Sequence, residues 1–210
     1  MKRSLITVIL LIFVSAIAPV ISAESGEDFH PIRPGMKITF MFIIEHIVKP
    51  ERLWSLNVVK SSYPESLTYT WTRPHEGEQE LSGTRILTDL KYSRDFDPWY
   101  KNGESKATKA TAPWIAREVL KELRKDGTAG GFRVCGAGAA NWIPRTLQVK
   151  EKIVFPLTIN GKTEVVHALK LNLGLVVWNN LNNPLVLEYE PLGIPLITGI
   201  TGWRVKEINY

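Results

Sequence analysis

Four histidines, one cysteine and seven tryptophans are the residues from which chemistry would have to be built. His30, His46, His75 and His167 stand singly. None is paired at i, i+2 or i, i+4, and no His-Glu-x-x-His or Cys-x-x-Cys occurs, so metal-ligand spacing is missing. His167 reads as a packed strand histidine. Cys135 lies in the strand-like run Phe132-Arg133-Val134-Cys135 and reads as a small buried hydrophobe. A single cysteine makes no internal disulfide, and no neighbour that would activate the thiol is visible. Asp95 and Asp97 could share a calcium ion, but Arg94 and Pro98 interrupt an EF-hand pattern, leaving a solvated loop. There is no Gly-x-Ser-x-Gly elbow. Gly136-Ala137-Gly138-Ala139-Ala140-Asn141 lacks the third glycine of a dinucleotide fingerprint and leads into Pro144 rather than a helix. Glu76, Glu78 and Glu80 alternate in a turn, and no facing carboxylate pair stands out for glycoside hydrolysis. No catalytic residue, metal or cofactor is assigned.

Tryptophan is the enriched feature, and it serves cores and binding pockets alike. Trp54, Trp178 and Trp203 fall in strand-like runs and read as core. Trp99 and Tyr100, in a polar loop, and Trp114, at a helix entry, are the candidates for lining an apolar-ligand cavity or a partner surface.

The elements that must carry these residues begin with an N-terminus outside the fold. Lys2 and Arg3 precede an apolar run from Leu5 to Ala18, Pro19 breaks it, and Ile21-Ser22-Ala23 ends on a small residue. That pattern predicts a secretory signal peptide over 1–23. The run is shorter than the ~20 residues a spanning helix needs. No cysteine follows it for lipid modification, and no second long apolar segment occurs, so a periplasmic or secreted protein is expected. Residues 24–35, with Pro31 and Pro34, read as an extended arm, and 36–210 as one β-rich domain. The formal charge of +5 includes Lys2 and Arg3, leaving +3 without them, spread with no Lys/Arg block. Nucleic-acid binding is therefore not expected.

Short strands follow one another. Leu67, Tyr69 and Trp71 alternate with Thr68, Thr70 and Thr72, and Trp54, Leu56 and Val58 with Leu53, Ser55 and Asn57. Leu81 to Asp89 reads as another strand, with Gly83 as a bulge position. Ser93 to Thr111 breaks the rhythm as a long loop, functional or mobile. One amphipathic helix is predicted over about 112–126. Thr111 would cap it and Pro113 sit in its first turn; Ile115, Ala116, Val119, Leu120 and Leu123 form one stripe, and Gly127 takes the left-handed end. Arg117, Lys121 and Arg124 are predicted to face away and are the candidates for touching a partner. The fold class is thus mainly β: an antiparallel curled sheet, barrel or sandwich, with one helix.

Asn160-Gly161 between two β-branched runs is the strongest hairpin signal in the chain. A two-residue turn would set Leu157 opposite Glu164. A three-residue loop with Gly161 in a G1 bulge would set Leu157 opposite Thr163 and His167 opposite Ile153 on the inner face. Burial favours the second, and the bulged register is expected.

Three stretches carry a resemblance: Asn160-Gly161-Lys162-Thr163-Glu164-Val165, Asn183-Pro184-Leu185-Val186-Leu187-Glu188-Tyr189 and Trp203-Arg204-Val205-Lys206-Glu207-Ile208. With the helix entry Thr111-Ala112-Pro113-Trp114-Ile115, they resemble uncharacterised β-rich periplasmic proteins of Gram-negative bacteria, which tend to have Ser where Ala116 stands. The resemblance covers the C-terminal half. It implies an envelope location and a β-rich fold and brings no catalytic residues. The function expected is a non-enzymatic binding module for a small apolar ligand or a partner segment. The alternatives are a structural or interaction protein of the envelope, and a hydrolase whose site spacing does not reveal.

Overall fold

The computed structural model describes residues 29–74, 80–98, 102–134, 143–191 and 200–210. Cys135, His75, Glu76, Glu78, the glycines 136 and 138, and Trp142 lie outside the described residues, as does the stretch 1–28. The described chain runs β1 (Lys37–Ile44), β2 (Ile47–Ser62), β3 (Ser66–Pro74), β4 (Glu80–Thr88), β5 (Asp95–Phe96), β6 (Gly103–Thr108), β7 (Ala110–Thr111), α1 (Arg117–Asp126), β8 (Thr128–Val134), β9 (Arg145–Ile159), β10 (Lys162–Leu171), β11 (Leu175–Trp178), β12 (Val186–Tyr189) and β13 (Ile200–Asn209). The strands lie in the order β6-β4-β3-β2-β1-β13-β12-β11-β10-β9-β8-β5-β7. β13 also meets β9 in parallel, at Glu207–Thr158 and Ile208–Ile159, so the last five strands close a ring. The class is the one the alternation predicts: mainly β, one large curled sheet and one helix.

The interior is filled by aromatic side chains. Phe40 stacks on Trp54 at 3.9 Å between centroids, and Trp203 meets both edge-on. Phe96 lies 5.5 Å from Tyr189 and 6.2 Å from Trp203. Each such ring buries a large area, and offset or edge-on contacts add to that burial. Leu67, Tyr69 and Trp71 of β3 face this core, as their alternation with threonines predicts.

The stretch Ser93 to Thr111 is not a plain loop. It holds β5, β6 and β7, and its charges are used as fasteners around Phe96, which is fully buried. Arg94 donates from Nη1 to Glu122 of α1 at 2.8 Å, and a second guanidinium nitrogen bonds the same carboxylate. That bond, with the guanidinium charge, holds the Glu122 carboxyl below its ordinary pKa. Asp95 takes two bonds from Arg133 of β8 at 2.6 and 2.8 Å. Asp97 accepts from Arg85 of β4 at 2.6 Å, and Arg85 is 2% exposed. A buried guanidinium is tolerated only with such a partner. Gly83 makes no bulge. It stands in regular register opposite Trp71, and a Cβ there would meet Gly103 O of β6 at 2.2 Å.

The helix begins five residues later than its apolar spacing predicts. Thr111 spends its hydroxyl on Asp95 O at 3.1 Å. Residues 113–115 stay extended beside the start of β12: Ile115 N–H donates to Pro184 O, Val186 N–H donates to Pro113 O, and Trp114 bridges to Leu185. Burial of the Trp114 ring, with its Nε1 donating to Asn183 Oδ1 at 2.8 Å, outweighs the local helix signal. α1 therefore starts at Arg117, with Ala116 as an N-cap that has no side-chain oxygen. Its stripe of Val119, Leu120 and Leu123 is buried, and Gly127 ends it in the left-handed region at φ 70°. Ala116→Ser supplies the missing acceptor for the Val119 N–H. It should raise stability by about 0.5–1 kcal/mol and the melting temperature by about 2 °C, as calorimetry would record.

Candidate functional site

The β9–β10 hairpin does not take the bulged register. Asn160 (φ 48°) and Gly161 (φ 76°) form a two-residue turn with both residues left-handed. Ile159 pairs with Lys162, Leu157 with Glu164, Phe155 with Val166, and Val154 with His167. The bulged expectation, with Leu157 opposite Thr163 and His167 inside, is thereby overturned. The reason is tertiary. Asn160 N–H donates to Ile208 O at 2.9 Å and Tyr210 N–H donates to Asn160 Oδ1 at 2.8 Å, so β13 clamps the turn. The charge set beside the apolar row is also met: Glu164 lies at the rim, its carboxylate 3.3 Å from His30 Nε2. Phe155, Leu157, Ile159, Val166 and Ala168 are buried on the inner face. Val154, Pro156, Thr163, Val165 and His167 are exposed on the outer face, Val154 by 62% and Val165 by 70%.

This register decides where the backbone groups point. In a two-residue hairpin the residues flanking the turn form a hydrogen-bonded pair, and bonded and non-bonded pairs then alternate. Lys162, Glu164 and Val166 therefore bond to β9, while Thr163, Val165 and His167 aim their N–H and C=O groups the other way. On that side β11 pairs only with Ala168 to Lys170. His167 O accepts the Asn179 N–H at 2.9 Å. Beyond it, among the described residues, Thr163 and Val165 have no backbone partner. The outward positions of β9 differ: Thr158 pairs with β13, and Pro156 has no N–H to offer. Proline is a common means of blunting a sheet edge, and β10 lacks one.

Where β11 ends, a groove of about 450 Å³ opens beside this edge. Glu151, Lys152, Val154, His167, Leu169 and Asn179 are among its walls. Asn179 is held from the helix by Arg124, whose Nε donates to Asn179 Oδ1 at 2.6 Å and Nη2 to Asn179 O at 2.7 Å. The N-terminal arm lies nearby. Asn180 donates to Phe29 O, Asn183 Nδ2 donates to His30 O at 3.0 Å, and Tyr210 OH donates to the same carbonyl at 2.8 Å. Burial pushes the Tyr210 hydroxyl pKa up, which keeps it the donor. These bonds hold the His30 imidazole at Glu164.

The residues singled out from sequence are scattered. Trp99 and Tyr100 lie outside the described residues. Trp114 is 1% exposed and packs in the core, as do Trp54, Trp71, Trp178 and Trp203. Arg117 and Arg124 are half-buried, so the three basic residues do not all face away; Arg124 is engaged by Asn179. Lys121 is exposed and bonds Glu118 at 2.8 Å. Among the described ones, Arg124 bonds a groove residue, Asn179. Thr163, Val165 and Val154 were not singled out, although the Asn-Gly turn, read in its two-residue form, places them on an open edge. Among the described residues no group of three or more His, Cys, Asp or Glu converges as metal ligands would, and no helix is long and apolar enough to cross a membrane. The chain matches no family model, no curated protein and no solved structure.

The clamp on the turn makes Asn160 costly to replace. Asn160→Ala loses a residue tolerant of the left-handed region and the acceptor for Tyr210 N–H. Urea unfolding should show a loss of about 2 kcal/mol.

Proposed function

We propose that the protein is an exported, non-enzymatic binding module of the cell envelope that takes an extended segment of a partner as an added strand on β10. The carrying observation is the one-sided pairing of Thr163 and Val165. An added strand draws affinity from such main-chain groups and specificity from alternate side chains. Val165 and Val154, exposed on the outer face, offer the apolar contacts, and the groove by Asn179 offers an end pocket. An enclosed site for a small apolar ligand is less well supported, because Phe40, Trp54, Trp203 and Phe96 occupy the sheet interior themselves. The leader-like segment over 1–23 supports export.

Val165→Pro tests the edge with little harm to the fold. The N–H it removes points away from β9, as that of Pro156 would, so stability should change by no more than about 1 kcal/mol. A photo-crosslinker placed at Thr163 in intact cells should give a defined adduct that Val165→Pro abolishes. The same adduct in both forms would refute strand addition.

A further inference from the structure

Resting on the strand-addition reading, we infer that the segment taken by β10 is acidic, with carboxylates on the side it shares with Val165 and His167. An added strand occupies the lane that β11 leaves at Asn179. Its alternate side chains join the outer-face row of the hairpin. On β10 that row is Thr163, Val165 and His167, all exposed. On β9 it is Lys152, Val154, Pro156 and Thr158. The row holds a lysine, a histidine and two valines, and no carboxylate.

Two acids stand near. Glu151 belongs to the opposite row of β9, opposite Lys170 in register, and reaches the groove at its wall. Glu164 faces inward, against His30. Arg124 of α1 is held on Asn179, the residue that would abut the added strand. β9 lies about 10 Å from the lane, two strand spacings away. A lysine stem reaches across much of that distance, and Lys152 and His167 already line one groove. The complementary strand therefore sets an apolar residue beside Val165 and acidic residues toward Asn179. Charges at such a rim govern association rate, salt dependence and choice of partner.

The test uses fluorescent peptides of about nine residues, with valine and threonine alternating with either glutamate or lysine, titrated against the full-length protein. The glutamate peptide should bind at least about tenfold more tightly than the lysine peptide, and added salt should weaken it. Lys152→Glu, an exposed change, should narrow or reverse that preference, and Val165→Pro should abolish binding of both peptides. Equal affinity for both peptides, lost in Val165→Pro, would overturn the charge inference and leave strand addition standing. No binding of either peptide would remove both. Dimerisation of the protein alone that Val165→Pro abolishes would assign the edge to a second copy. Binding to anionic phospholipid vesicles that Lys152→Glu abolishes and Val165→Pro does not would assign the face to lipid. Each of these last two would overturn the inference.

Discussion

Two adjacent left-handed residues, Asn160 and Gly161, determine which way every residue of the β9–β10 hairpin faces. The turn admits two residues only, and a slip of one would exchange the inner and outer rows. Bonds from Ile208 and Tyr210 hold it there, so the same turn that sets the register also joins β13 to β9 and closes the ring. The burial of Leu157, the exposure of Val165 and the outward aim of the Thr163 and Val165 backbones are consequences of one constraint. The arrangement sets Glu164 beside an apolar row, and the His30 imidazole answers that charge at the rim.

The rest of the chain supports this hairpin by filling space and by fastening charges. The aromatic cluster around Trp203 leaves the interior to the protein's own side chains. Alternating charges on either side of Phe96 then tie the helix, β8 and β4 into one frame. On the outside, among the described residues, a β9 edge ended by Pro156 stands beside a β10 edge with neither a proline nor a further strand at Thr163 and Val165. Natural sheets seldom leave such an edge open, which is why the exposed valines beside it count for more than their area alone.

Much of the fold was legible from local pattern. The alternation of Leu67, Tyr69 and Trp71, the buried Trp54 row and the glycine at the helix end each follow from short-range rules, and each is where those rules place it. The misses share a cause. Asp95, Asp97 and Arg94 look solvated in sequence and Thr111 looks like a helix cap, yet their partners are 12 to 38 residues away along the chain. Trp114 abandons a sound helix start for Asn183, 69 residues on. Local pattern favours the bulged register because it keeps Glu164 from Leu157; the group that meets that charge, His30, stands 134 residues earlier. The open β10 edge is illegible in sequence for the same reason: an unpaired backbone is a property of topology, not of residue type.

The register and the open edge can be read together from backbone amide exchange along β9 and β10, followed residue by residue by NMR in the free protein. The amides of Lys162, Glu164 and Val166 bond to β9 and should exchange slowly, while those of Thr163 and Val165 exchange quickly. Slow exchange at Phe155 and Leu157 with fast exchange at Val154 is the signature of the two-residue turn, and fast exchange at Thr163 and Val165 that of the unpaired side. Slow exchange at Val154 with fast exchange at Phe155 and Leu157 would restore the bulged register, and uniform protection along β10 would mean that the edge is already covered; either result would contradict the account.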